Sequence, residues 1–218
     1  MPDSEKKYKF AAMRRVANIL STLFHPLLMV TYGIVMALSF SYLVIFPMKL
    51  KLIILSGVFL MTAVIPALFI YLMVKEKDGA DWELSNRKYR TMPYLIYVGS
   101  VMAALFFLFK MMLPFWVLAQ LFGAAVVMLI ALCINFFWKI SAHMIGIGGL
   151  LGGLMGISRI YAQNPYWGFI ALTMAAGCIG TSRLYLGKHT PSQIYSGFGL
   201  GFIVIYISSL LSYFYFFI

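Results

Sequence analysis

Acidic side chains are scarce in this chain: six Asp and Glu among 218 residues, and none after Glu83. Everything beyond that point lacks a carboxylate pair for general acid–base work and a carboxylate cluster for Mg2+ or Zn2+. Cysteine is rarer still. Cys133 and Cys178 both fall in apolar stretches without C-x-x-C or metal-ligand spacing, so they read as inert packing residues. Histidine occurs three times, at His25, His143 and His189. Polar surface is missing as well: 11% of the residues are charged, 63% are hydrophobic, and the mean hydropathy is +0.93. That excludes an ordinary soluble domain and places the chain among all-α, polytopic membrane helical bundles.

The length allows one membrane domain and little else. The formal charge of +11 would suit nucleic acid. The cations, however, sit in short loops between apolar runs, with no basic stripe, so no nucleic-acid partner is expected. Control of topology and binding of anionic lipid both remain as readings of the charge.

Residues 1–15 form a basic N-terminal tail with Lys6, Lys7, Lys9, Arg14 and Arg15, and 16–218 form a single transmembrane domain. The first apolar run is too long for a cleaved signal peptide and no small-residue cleavage site follows it, so it should remain as a helix. Spans are expected at about 17–45, with Pro26 inside, and at 50–74. The apolar run 93–137 is about twice the ~20 residues a span needs, with Lys110 and Pro114 at the turn of a hairpin. Glycine-rich 144–160, then 166–181 and 193–217, complete six to seven transmembrane helices. Glycines 146, 148, 149, 152, 153 and 156 suit close helix packing. They do not suit a phosphate loop, because no strand precedes them and no G-K-[ST] follows.

With seven spans, the N-terminus, the 75–92 loop, the break at 139–143 and the segment 182–189 all fall on one face. Three polar clusters distant in sequence then meet at one membrane surface. Together they hold His143, His189, Arg87, Lys88, Arg90, Arg183, Lys188, Ser141 and Ser182. Cations and hydroxyls suit a phosphate, and histidines suit phosphoryl transfer and protonation of a leaving alkoxide. His25, beside Pro26, reads as a polar packing residue.

These residues resemble the membrane-bound type 2 phosphatidic acid phosphatases. Their pattern is K-x6-R-P, then P-S-G-H, then S-R-x5-H-x3-D. This chain carries S-R-x5-H at Ser182, Arg183 and His189, and Ile140-Ser141-Ala142-His143 where the family has P-S-G-H. The two histidines lie 46 positions apart (143 to 189), and the resemblance covers roughly 85–195. It implies that His189 is the nucleophile and His143 the general acid, with Arg183 and Arg90 clamping the phosphate. Ser141, the amide of Ala142 and Ser182 are further oxygen ligands, and Arg87 or Lys88 stand in for the missing lysine of the first motif. It implies no cofactor and no metal. The implied partners are the bilayer and a lipid phosphate substrate, with the oligomeric state open.

Gln193 stands where the family has the acid that orients the nucleophile. A neutral amide stabilises an imidazolium less, so a slower enzyme is expected, or one relying on Asp81 or Glu83. The first motif also departs, with Arg90 three residues before Pro93 and Glu83 in the lysine position. Three readings follow: a phosphatase for lipid phosphate monoesters or pyrophosphates, a lipid phosphotransferase, and an inactive relative that binds anionic lipid. The proposed face carries thirteen of the seventeen Lys and Arg. Positive-inside therefore favours the cytoplasmic face of a multi-pass protein in the cell inner membrane.

Overall fold

The computed structural model describes residues 3–75 and 90–217, and these are helical with no strand among them. Nine α-helices follow in order: α1 Asp3–Leu23, α2 Met29–Ser39, α3 Met48–Phe59, α4 Ile65–Lys75, α5 Thr91–Lys110, α6 Phe115–Phe137, α7 Ala142–Tyr161, α8 Tyr166–Tyr185 and α9 Pro191–Phe217. Six stretches are long and apolar enough to cross a membrane: Phe10–Ser39, Met48–Met73, Thr91–Lys110, Phe115–Phe137, Ala142–Tyr161 and Pro191–Phe214. The chain is thus a multi-pass, all-α membrane protein. α8 is as long as α7, at 20 residues, but Thr181, Ser182 and Arg183 at its end make it less apolar.

The basic start is helical. Helix α1 already includes residues from Asp3 onward, because no glycine or proline interrupts 3–23. The first span then breaks at His25-Pro26, where a short 3-10 turn, Pro26–Leu28, leads into α2. Proline is tolerated there because the first N–H groups of a helical turn have no partner within it. A single π-turn, Leu60–Val64, joins α3 to α4 just before Pro66. Extra residues of this kind accommodate a proline inside a continuous span.

Helices α7 and α9 form the tightest pair. A Cβ on Gly148 or Gly152 would overlap the carbonyl oxygen of Phe198 or Phe202, and one on Gly201 would overlap the carbonyl of Ile145. The glycine-rich run is therefore packing surface, where only hydrogen lets the backbones meet. The register of these contacts, rising together along both helices, makes α7 and α9 parallel. Helix α8 returns the chain between them. Both helices consequently start at the same end of the bundle, one at Ala142 and the other at Pro191.

Candidate active site

That shared end carries the two histidines. His143 is the second residue of α7, and His189 stands two residues before α9 begins. Between Arg183 and His189 the chain must turn sharply. Gly187 adopts φ +64, and the Lys188 N–H donates to the Arg183 carbonyl at 3.1 Å. This left-handed close is the usual glycine terminus of a helix. It folds the S-R-x5-H segment so that its arginine and histidine face one cavity.

The cavity has a volume of about 700 Å3, and Arg90, Ala142, His143, Arg183 and His189 line it. Its walls come from α1, α4, α5, α6, α7 and α8, so residues far apart in sequence converge here. Arg90 and Arg183 are buried at 6% and 2% exposure, which costs a cation much of its hydration. One terminal nitrogen of Arg90 donates to the Ile140 carbonyl at 3.2 Å, and one of Arg183 to the Ser21 hydroxyl at 3.3 Å. Lys139 Nζ donates to the Lys188 carbonyl at 2.7 Å, tying the 139–143 break to the 182–189 turn.

His189 is held by one oxygen. Gln193 Oε1 lies 3.0 Å from His189 Nδ1 and also accepts the Thr190 N–H at 3.3 Å. An oxygen that takes a backbone N–H is an acceptor, so Nδ1 carries the proton and Nε2 the lone pair. Thr190-Pro191-Ser192-Gln193 opens α9 in the T-x-x-Q pattern, with the glutamine reaching back to the first N–H as in a capping box. Burial lowers the His189 pKa to about 3; the Gln193 bond acts in the raising direction, and the charges of Arg90, Lys139 and Arg183 lower it further. At neutral pH the imidazole is therefore uncharged, with its lone pair at Nε2.

His143 Nε2 lies 3.1 Å from the Ser21 carbonyl. A carbonyl only accepts, so Nε2 carries a proton and Nδ1 is left to exchange one. The ring of His25 meets that of His143 edge-to-face, with centroids 5.7 Å apart.

The other residues singled out in the sequence fall elsewhere. Gln193 stands behind His189 and does not line the cavity. Ser141 is fully buried, and its Oγ finds no hydrogen-bond partner among the described residues. Ser182 turns its hydroxyl back to the Cys178 carbonyl at 2.7 Å, a local bond along α8 that points it away from a ligand role. Arg87, Lys88, Asp81 and Glu83 lie outside the described residues. Among those described, no three His, Cys, Asp or Glu side chains converge as metal ligands do.

Sequence reasoning missed the contribution of α1. Asn18, Ser21, Thr22 and His25 all line the cavity. Their spacing of three and four residues is a helical face, a signal present in the sequence. The T-x-x-Q cap was equally legible. No signal marked the Ser21 carbonyl as the partner of His143.

No family model, curated protein or solved structure matches this chain.

Proposed function

We propose that this protein is an integral membrane phosphatase that hydrolyses a lipid phosphate monoester or pyrophosphate through a phospho-histidine, without a metal. The observation that carries the reading is the pairing of two oriented histidines across one cavity with two buried arginines. His189 presents a neutral Nε2, fixed by Gln193. His143 is fixed through Nε2 by Ser21, with Arg90 and Arg183 in the same wall.

The chemistry divides into two steps. Nε2 of His189 attacks phosphorus, and the bond from phosphorus to the leaving oxygen breaks. Protonated His143 gives that oxygen its proton, and the dianionic substrate is what favours the imidazolium beforehand. Water then attacks the phospho-histidine as neutral His143 takes its proton, releasing orthophosphate and His189. Arg90 and Arg183 offset the charge on the phosphoryl oxygens. The N-termini of the parallel helices α7 and α9 add favourable dipoles at the same end. The cell inner membrane, with the site on its cytoplasmic face, is the location that the charge bias of the loops favours.

The test is phosphate release by the purified protein in detergent with EDTA present, across a panel of lipid phosphates, beside His189→Ala. Release that survives EDTA and vanishes in the variant supports the reading. Acid-labile phosphate trapped on His143→Ala would place the covalent step on His189. Transfer to an added alcohol in place of water would identify a phosphotransferase. Lipid binding without release in any assay would identify an anionic-lipid binder.

A further inference from the structure

Two contacts fix the course of α1. Near its end, the Ser21 carbonyl meets His143, the second residue of α7, and the Ser21 hydroxyl accepts from Arg183. Near its start, the Phe10 carbonyl accepts the Tyr185 hydroxyl at 3.3 Å. Tyr185 is the last residue of α8, two positions beyond Arg183. Phe10 and Ser21 are about 16 Å apart along α1, whereas Arg183 and Tyr185 are about 3 Å apart along α8. A helix descending into the bundle beside α8 would place Phe10 about 16 Å below Ser21, out of reach of a side chain at the outer end of α8. The stretch Phe10–Ser39 is long and apolar enough to cross a membrane, but its first half stays at the level of the site.

That half is not made to stand in water either. Phe10, Met13, Val16 and Ile19 follow one another at three-residue steps along one flank, and each is more than half exposed. Arg14, Asn18 and Thr22, with Arg15 beside them, form the opposite flank and are exposed as well. The side chains that α1 buries among those described from Tyr8 to Leu23, Ala17 and Ser21, lie between the two flanks. The bundle is therefore to one side of α1, with apolar groups on one face and polar groups on the other. A helix lying in the membrane surface beside a bundle needs this disposition. A crossing would instead put Arg14 and Arg15 into hydrocarbon, at a large cost. The first fifteen residues hold five cations, Lys6, Lys7, Lys9, Arg14 and Arg15, against two acids, Asp3 and Glu5.

We propose that α1 is an in-plane helix that docks on anionic phospholipid headgroups at the face of the membrane that carries the cavity. Arg14 and Arg15 meet the headgroup phosphates, and Phe10, Met13, Val16 and Ile19 enter the boundary of the acyl region. The proposal does not depend on the chemistry of the cavity. It does bear on it, because the lipid surface that seats α1 also seats Ser21, and through it His143.

The test is nitroxide depth measurement on the full chain in nanodiscs of phosphatidylcholine, with and without phosphatidylglycerol. Cys133→Ser and Cys178→Ser leave a background for one label at a time. Labels at Phe10→Cys, Met13→Cys, Val16→Cys and Ile19→Cys should report one shallow depth below the headgroups. Labels at Ala11→Cys and Asn18→Cys, seven residues apart on the polar flank, should be open to a water-soluble nickel chelate. Removing phosphatidylglycerol should raise the access of that chelate to the Val16 label about twofold, as should high salt, because both weaken attraction to the surface. Arg14→Gln with Arg15→Gln should give the same rise with phosphatidylglycerol present. Depth that increases steadily from position 10 to position 19 would overturn the proposal in favour of a crossing helix. Chelate access at all six positions would overturn it in favour of a helix standing clear of the membrane. Spin–spin broadening between Val16 labels would mean that a second copy of the chain covers the apolar flank. Access that ignores phosphatidylglycerol and both arginines would overturn the anionic partner.

Discussion

The side-chain oxygen of Gln193 stands 3.0 Å from Nδ1 of His189 while it also receives the Thr190 N–H that opens α9. One atom thus caps a helix and fixes a tautomer. The arrangement explains how a neutral amide can occupy the place of the acid expected by resemblance. It orients the imidazole fully, and it does less to stabilise a positive charge on it.

Two substitutions separate those roles. Gln193→Glu keeps both bonds and adds a charge, so it should raise the His189 pKa and increase kcat by about tenfold, equivalent to ~1.4 kcal/mol of added stabilisation of the imidazolium-like state. Gln193→Leu strands the Nδ1–H and the Thr190 N–H. It should cost about 1–3 kcal/mol of stability and lower kcat by more than the glutamate raises it. Steady-state kinetics with thermal unfolding in detergent reads both, and a Gln193→Leu protein of undiminished kcat would remove the orienting role.

The His189 pKa also sets a pH dependence of stability. It lies at about 3 in the folded protein and at about 6.5 in an unfolded chain. Between those values the unfolded chain binds a proton that the folded one does not. Stability is therefore complete above the unfolded value and falls as pH drops from 6.5 toward 3. At pH 5 the loss attributable to this residue is about 2 kcal/mol. His189→Asn does not titrate, so its stability difference between pH 8 and pH 5 should be smaller than that of the wild type by that amount. Equal slopes would mean that His189 accepts a proton freely in the folded state.

Ser21 should matter through two atoms of different chemistry. Its hydroxyl accepts from Arg183, while its backbone carbonyl holds His143. Ser21→Ala removes only the first, at about 1 kcal/mol, so kcat/KM should fall about fivefold and the pH profile set by His143 should stay in place. A displaced profile would show that the serine acts on the histidine through its side chain.

Gly201→Leu should be among the most damaging single changes in the bundle. A Cβ there overlaps the Ile145 carbonyl and comes within 2.9 Å of the Gly149 nitrogen. Separating two backbones costs several kcal/mol of packing, of order 3 kcal/mol or more. Gly177→Leu, where a Cβ meets nothing within 4 Å, is the control and should unfold near the wild-type temperature. Similar melting temperatures for the two variants would argue against the close α7–α9 contact.

The spans and the meeting of His143, Arg90, Arg183 and His189 were legible because hydropathy and loop charge fix the order of crossings, and parity then assigns each polar break to a face. The glycine run was legible as packing for the same reason, since no loop chemistry accompanied it. Ser182 was misleading. Its place beside Arg183 suggested a phosphate ligand, but a helical serine satisfies itself on the carbonyl four residues back. Asn18, Ser21 and His25 share a helical spacing that the sequence displays, but which cavity that face lines depends on how the chain bends at His25-Pro26 and where α1 comes to rest. Those are tertiary outcomes that the spacing alone does not encode.

At Gly148, Gly152 and Gly201 the backbones of α7 and α9 meet with no side chain between them that could yield. Mechanically, the cavity has one fixed jaw, which carries His143 and His189 at a spacing set by helix docking. The other jaw is α1, which buries only Ala17 and Ser21 among its described side chains from Tyr8 to Leu23. On the proposed reading, a bulky lipid would be admitted at least cost by displacing the compliant jaw, leaving the distance between His143 and His189 unchanged.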